Sequence, residues 1–304
     1  MYVKNLVICD CEEDYAKALA LYLMKKKELS FKIQVCSSIA HVLAAAEEGI
    51  DFLFISEKYT LRERRKMNAK KVFVLTAGNL REKDDREIPL YKYQSGDKLL
   101  GELLKQCDDL EGSGDLFRKN TRKTGGKIIG VFSPVHRIGK TTYALRLGEK
   151  LSASSNVLYL NLEVFGGIGG HFEEGGQTLA DLLYYARQEK GNLGLILTTI
   201  VRHREGLDYV LPMPVSEDVK EIEAGEWISL IKKIMDESIY ETIILDIDEG
   251  IRHPYQVLKI CSEVHMLLDD SVYSESKRQQ FEKELLLLGH EDVLRKIVRK
   301  DGRL

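Results

Sequence analysis

Residues able to do phosphate chemistry cluster in one segment. The apolar run Ile128-Ile129-Gly130-Val131-Phe132 passes through Ser133-Pro134-Val135-His136-Arg137-Ile138 into Gly139-Lys140-Thr141-Thr142, which opens a helical pattern. A strand, a loop and a helix start in that order aim backbone N–H groups at one spot, where the helix dipole also favours negative charge. Lys140 has the reach for β and γ phosphates, the Thr141 hydroxyl suits a magnesium ion, and Gly139 allows close backbone approach. The candidate nucleotide-binding residues are therefore Pro134, Val135, His136, Arg137, Ile138, Gly139, Lys140, Thr141 and Thr142. The match to G-x-x-x-x-G-K-[ST] is partial, because the first glycine falls on Pro134.

A partner acid for the metal should end a neighbouring strand. Ile243-Ile244-Leu245-Asp246-Ile247-Asp248 supplies it, about a hundred residues after Lys140. Asp246 would hold magnesium together with Thr141, so the cofactors expected are ATP and Mg. A third apolar run ends Leu160-Asn161-Leu162-Glu163, and Asn161 and Glu163 are the catalytic candidates for contact with an attacking water or the metal.

The chain has 304 residues, 44% hydrophobic and 31% charged, with net charge −3. That length suits two α/β domains, and the charge does not call for nucleic acid as a partner. No apolar run reaches the ~18 residues of a membrane span, and the N-terminus lacks the pattern of a signal peptide. The five cysteines, Cys9, Cys11, Cys36, Cys107 and Cys261, and the seven histidines are scattered, so neither disulfides nor a structural zinc are expected.

Those active groups need elements to position them. The polar, Gly-containing stretch 108–126 reads as a linker between a domain at 1–107 and one at 127–304. In the first, strand candidates Leu6–Cys9, Phe31–Val35, Asp51–Ile55, Val72–Leu75 and Leu90–Tyr93 alternate with helical patterns at Tyr15–Leu23, His41–Glu47 and Lys98–Gln106. In the second, strands are expected at Lys127–Phe132, Asn156–Leu162, Leu207–Val210, Glu241–Ile247 and Val264–Leu268. Helices are expected at Lys140–Leu151, Thr178–Arg187, Glu226–Met235 and Glu275–Leu288. The fold class is α/β: two doubly wound parallel-sheet domains.

The second domain resembles the MinD/ParA group of P-loop ATPases, and most resembles its CpaE/TadZ branch of Flp/Tad (type IVb) pilus assembly proteins. The residues that carry this are the Gly139–Thr142 loop, the strand ending at Asn161 and Glu163, the Asp246 strand, the Leu211-Pro212-Met213-Pro214 segment and the preceding α/β domain. The departures are equally specific. The group's extra lysine falls on Val135, two loop glycines fall on His136 and Arg137, and its two switch aspartates fall on Asn161 and Glu163. Asn cannot act as a general base. Losing groups that stabilise transition-state charge costs about 10³-fold or more, so slow or absent hydrolysis is expected.

The first domain resembles a receiver, in flavodoxin-like form. Asp10 with Glu12 or Glu13 matches the acidic pair, Thr76 the fourth-strand hydroxyl and Lys92 the fifth-strand lysine. The phospho-acceptor position is Ser56, which cannot form an acyl phosphate, and Glu57 is one register off and should point elsewhere. The resemblance implies a pseudo-receiver that docks or targets.

Three weaker features complete the reading. The basic run Arg62–Lys71 is expected to be a solvated helix and loop face. Trp227 and Leu285–Leu288 are expected in the core. Glu291–Lys300 reads as a last helix, and the resemblance allows it a weak peripheral membrane contact. Together these imply an ATP-switched localisation and assembly factor in the cytoplasm, polar or peripheral to the inner membrane, dimeric and meeting pilus or secretion proteins. The rival readings are a nucleotide-independent scaffold and an active MinD-like ATPase.

Overall fold

The computed structural model describes residues 4–26, 29, 31–46, 49–78, 80, 82–105, 126–188 and 193–302. It divides into two compact units, Met1–Lys119 and Asn120–Leu304. The predicted linker at 108–126 lies outside the described residues except for Gly126, as do Gln106 and Cys107.

The first unit runs β1 (Lys4–Cys9), α1 (Glu13–Lys25), β2 (Phe31–Val35), α2 (Ile39–Ala45), β3 (Ile50–Ser56), α3 (Leu61–Arg64), β4 (Ala69–Thr76), β5 (Glu87–Tyr91) and α4 (Gly96–Lys105). Its five strands lie in the order β2-β1-β3-β4-β5, all parallel, which is the flavodoxin-like order. Alternation along the strands sorts the core. Val7, Cys9, Leu53, Ile55, Val72 and Val74 share one face with Val42 of α2. The intervening Leu6, Ile8, Phe52, Phe54, Phe73 and Leu75 are equally buried.

The second unit continues with β6 (Lys127–Phe132), α5 (Lys140–Ser152), β7 (Val157–Leu162), α6 (Leu179–Arg187), α7 (Leu193–Ile200), β8 (Arg202–Arg204), β9 (Leu207–Tyr209), α8 (Ser216–Glu221), α9 (Ala224–Glu237), β10 (Thr242–Ile247), α10 (Pro254–Ile260), β11 (Glu263–Leu268), α11 (Val272–Leu287), α12 (Glu291–Leu294) and β12 (Ile297–Asp301). The strand order is β12-β11-β6-β10-β7-β9-β8, parallel except for β8 against β9. The strand leading into the loop and the strand ending at Asp246 are therefore neighbours, with Asp246 opposite Val131 of β6 and Asn161 of β7.

Residue parity again decides what faces what. Leu158, Leu160, Leu162, Ile243, Leu245 and Ile247 join the larger core with Trp227, Leu230, Ile231 and Ile234 of α9. Ile129, Val131, Tyr159 and Ile244 pack instead with Ala144 and Leu145 of α5. Ser133, Asn161, Glu163 and Asp246 have the α5-side parity, so the sheet delivers them to the start of that helix.

Several expectations fail for identifiable reasons. Glu291–Lys300 is not one helix: α12 stops at Leu294 and Ile297–Asp301 adds a parallel edge strand to β11. The open ladder of β11 and the β-branched Ile297-Val298 pair override the four-residue apolar spacing. Val293 is fully buried and Leu294 and Ile297 pack on the core, so the amphipathic helix proposed for membrane contact is not formed. Among the described residues no helix is long and apolar enough to cross a membrane. Only Leu285 of the Leu285–Leu288 run is buried; Leu286, Leu287 and Leu288 are exposed, because four consecutive helical residues cannot share one face. The basic run holds one buried basic residue. Arg64 pairs with Glu87 at 2.8 Å and also donates to the carbonyl oxygens of Tyr59 and Glu82.

Candidate functional site

In the second unit the carboxyl ends of β6, β7 and β10 meet the start of α5. Ser133 leaves β6 and ties the loop down: its hydroxyl donates to the Leu267 carbonyl oxygen at 2.7 Å and accepts the Val135 N–H at 3.0 Å. The loop then turns through two left-handed residues, Arg137 at φ 57° and Gly139 at φ 84°. Gly139 caps α5, so the first N–H groups of the helix lack intrahelical acceptors and face the cavity. That cavity has a volume of about 260 Å³. It suits a phosphate chain better than a whole nucleotide, being below the ~300 Å³ at which most ligand pockets begin.

Val135, His136, Arg137, Ile138, Gly139, Lys140, Thr141, Thr142 and Glu163 all line this cavity. Pro134, Asn161 and the fully buried Asp246 are not among its lining residues; Ser133, His171, Asp248 and Glu249 are. The ammonium of Lys140 donates to the Ile247 carbonyl oxygen at 2.6 Å and pairs with Glu163 at 2.5 Å. His136 reaches across the mouth to Glu249 at 2.8 Å.

The metal candidates meet directly. Thr141 Oγ1 donates to Asp246 Oδ2 at 2.7 Å, and the Tyr159 hydroxyl donates to the same oxygen at 2.9 Å. Asp246 is fully buried, and its other oxygen, Oδ1, has no hydrogen-bond partner. A buried carboxylate oxygen left alone is costly, and a cation is the species that relieves it. Among the described residues no group of three or more His, Cys, Asp or Glu side chains is arranged to hold a metal unaided. Magnesium takes one or two protein carboxylates and completes its shell with water and phosphate oxygens.

The catalytic candidates are placed differently from each other. Asn161 Nδ2 donates to the Tyr159 hydroxyl at 3.0 Å, while its Oδ1 accepts the Glu163 N–H at 2.9 Å. Both ends of the amide are thus engaged inside the protein. Glu163 lies in the cavity. Burial, reinforced by the charge of Asp246, pushes its carboxyl up to about 8, against the pull of Lys140. Burial also works against the charge of Asp248, but hydrogen bonds from Glu163 and the Gly250 N–H, with Lys140 nearby, hold that carboxyl below its ordinary value. Glu163 is therefore the protonated member of the pair.

The first unit has its own acidic site at the carboxyl ends of β1, β3, β4 and β5. Asp10 is buried, and Lys92 Nζ lies 3.4 Å from it and 2.8 Å from Glu12. Glu12, not Glu13, is the second acid; Glu13 pairs with Lys17 on the surface of α1. Burial opposes the charge of Lys92, but Glu12 and Asp10 outweigh it and push the ammonium up. The Tyr15 and Tyr93 rings flank Lys92 at 5.0 and 5.2 Å. Ser56 is buried, its hydroxyl accepting a long bond from the Lys58 N–H at 3.5 Å. Glu57 does not point elsewhere. The β3–β4 register, with Ser56 opposite Leu75, continues one step and sets Glu57 beside Thr76, so the Glu57 carboxylate accepts from the Thr76 hydroxyl and the Ala77 N–H, both at 2.7 Å. The Ala77 N–H, then Thr76, hold it below the usual carboxylate range.

No family model matches the chain, and no curated protein matches it. Solved structures do resemble part of it. A ParA family ATPase from Chlorobium tepidum TLS is similar at 21% identity over 58% of this chain and 74% of that one, with a TM-score of 0.48. The Pyrococcus furiosus cell division ATPase MinD is similar at 17% identity over 54% and 68%, with a TM-score of 0.43. A putative plasmid partition protein from Borrelia burgdorferi B31 bound to AMPPNP is similar at 16% identity over 54% and 70%, with a TM-score of 0.39.

Several site residues escaped sequence reasoning, Ser133 and His171 of the cavity wall among them. Tyr159 sits mid-strand among apolar residues and looks like core, yet its hydroxyl joins Asp246 to Asn161. Counting back two from Asn161 along β7 puts it on the α5 side, which is the signal that was there to use. Asp248 follows from the same count beyond Asp246. Glu57 has the parity of Leu53 and Ile55, which the β3–β4 register matches to Thr76, and Glu249 lies two residues beyond β10 with no periodic signal.

Proposed function

We propose that the chain is an ATP-binding localisation and assembly factor whose second unit takes magnesium–ATP at residues 135–142. One observation carries this: Thr141 and Asp246 are already joined at 2.7 Å on the α5 side of the sheet, with the buried Asp246 Oδ1 unpartnered beside the loop. Asp246 and the Thr141 hydroxyl would hold the magnesium, which would supply charge neutralisation for the phosphates. Lys140 would exchange its Glu163 and Ile247 partners for phosphate oxygens.

The same site favours binding over turnover. A water-activating base must be ionised near neutral pH, and burial with the charge of Asp246 pushes the Glu163 carboxyl up to about 8, against that role. Asn161 has both amide ends occupied within the protein. We infer slow or absent hydrolysis, and a switch read by partners. The sequence resemblance to CpaE/TadZ proteins supports the finer reading: a homodimer at the cell pole or inner-membrane face, assembling a Flp/Tad pilus or secretion apparatus, with the first unit as a pseudo-receiver that docks it.

Calorimetry of the full chain with magnesium–ATP tests the core of this. Saturable binding that is lost in Lys140→Ala is expected; a flat titration of the folded wild-type protein would remove the reading. The rival scaffold reading is favoured if Lys140→Ala keeps both dimerisation and localisation.

A further inference from the structure

Strand β12 ends against the phosphate loop. Gly302 follows its last residue and donates its N–H to the Leu268 carbonyl oxygen at 2.9 Å, so the chain is pinned to the end of β11. Its carbonyl oxygen lies 3.4 Å from where a Cβ on Gly139 would sit. A Cβ on Gly302 itself would lie 2.1 Å from Ile138 Cγ1 and 2.9 Å from the Ile138 carbonyl oxygen. Ile138 is buried, and it immediately precedes the Gly139 cap of α5. The loop is thus gripped at both ends by the end of β11: Ser133 bonds to the Leu267 carbonyl, and Ile138 rests on Gly302, which hangs from Leu268.

We propose that Gly302 is a positioning residue for the phosphate loop: β12 carries it to a place where only a hydrogen side chain leaves Ile138, and with it the Gly139 and Lys140 backbone, in the phosphate-binding arrangement. The contacting atoms are the near side of Ile138 and its own backbone, not the far end of a flexible chain. A larger residue cannot be absorbed by a rotamer change, and a closely packed interior passes the displacement on. The left-handed turn at Gly139 is the next joint in line. The edge of the sheet and the nucleotide site are mechanically coupled, although Gly302 touches no ligand. This proposal rests on the nucleotide reading for its functional consequence, but not for its geometry.

The test uses the full chain with Gly302→Ala, Ile138→Ala and the double variant. Two readouts are compared: amide hydrogen exchange across 135–142 without nucleotide, and magnesium–ATP affinity by calorimetry. Gly302→Ala is expected to speed exchange in that window and to weaken binding, each about tenfold, as overpacking of one methyl group implies. Exchange in β6, β7 and β10 should stay near wild type. Removing Cγ1 and Cδ1 of Ile138 relieves the closest contact and leaves only the carbonyl oxygen at 2.9 Å, so Ile138→Ala/Gly302→Ala should recover most of the loss seen in Gly302→Ala. Unchanged exchange in Gly302→Ala overturns the proposal. So does a uniform rise across the whole second unit, or a double variant no better than Gly302→Ala. If the wild-type protein binds no magnesium–ATP, the nucleotide reading fails, and the exchange and rescue data alone decide the positioning role.

Discussion

Both units end parallel strands in buried acids, yet they solve the resulting charge problem in opposite ways. At the acidic site of the first unit the charges find partners within the chain: Lys92 lies between Asp10 and Glu12, and Glu57 is bracketed by Thr76 and the Ala77 N–H. In the second unit Glu163 and Asp248 both act on the ammonium of Lys140, Glu163 is pushed toward its protonated form, and Asp246 Oδ1 has no partner among the described residues. A site that satisfies itself has little to gain from a ligand. A site short of positive charge beside a set of helix N–H groups is built to take a cation together with an anion.

The largest effect expected is in the self-satisfied site. Replacing Lys92 with Met leaves Asp10 buried without its cation, which should destabilise the first unit by about 3–5 kcal/mol in chemical denaturation. Magnesium should then raise the melting temperature of Lys92→Met while leaving wild type unmoved at that unit. A wild-type first unit that magnesium stabilises as strongly as the variant would erase the contrast between the two sites.

The counterpart in the open site is Lys140→Ala. Loss of the charge that meets the phosphates should weaken magnesium–ATP binding about 100-fold or more, worth ~2.7 kcal/mol. The same titration on Lys92→Met should show wild-type affinity, since that side chain belongs to the other unit. Equal losses in both variants would mean that the two sites are not independent.

How much of this contrast was legible in the sequence depends on the kind of residue. Gly139-Lys140-Thr141 and Asp246 announce themselves, because local order and a strand-ending acid are sequence properties. The alternation that buries Leu158 and Leu160 also puts Asn161 and Glu163 on the α5 side, so their placement was accessible. The partner of Asp246 was not: a tyrosine amid leucines is normally core, and only the pairing of β7 with β10 brings the Tyr159 hydroxyl to it. Glu57 was missed because its parity sets it on the face opposite Ser56, and only the pairing of β3 with β4 shows that this face carries Thr76. The tail was misread because the four-residue spacing of Val293, Leu294, Ile297 and Val298 suits a helix. What decides against it is the open edge of β11, a tertiary fact.

The protonation of Glu163 sharpens the comparison further. Its folded value of about 8 lies above its ordinary value of 4.5, so between those values the folded state holds a proton that the unfolded chain has released. Stability from this group is therefore present below about 4.5 and is lost as pH rises toward 8. Glu163→Gln removes that titration. The melting temperature of wild type relative to Glu163→Gln should fall from pH 5 to pH 8, and a difference that does not change with pH would show that the carboxyl is ionised throughout. Glu57, held low in the first unit, should give no such decline across that range.

The smallest effect tests backbone rather than charge. Arg137 holds φ 57° within the loop, a left-handed conformation that costs a non-glycine residue about 1 kcal/mol. Arg137→Gly should remove that cost, against which the glycine loses more freedom on folding, so the net change in stability should be within ~1 kcal/mol of zero. Arg137→Val keeps a side chain but adds β-branching at positive φ, and should destabilise the loop relative to Arg137→Gly by more than Arg137→Ala does. The affinity series separates the roles of this position. If Arg137 only supports the turn, magnesium–ATP affinity should follow backbone tolerance, with Gly strongest and Val weakest. If its guanidinium supplies a cation to phosphate, Gly and Ala should lose affinity together despite the relaxed backbone. The second pattern would leave Lys140 no longer the sole source of positive side-chain charge at the open site.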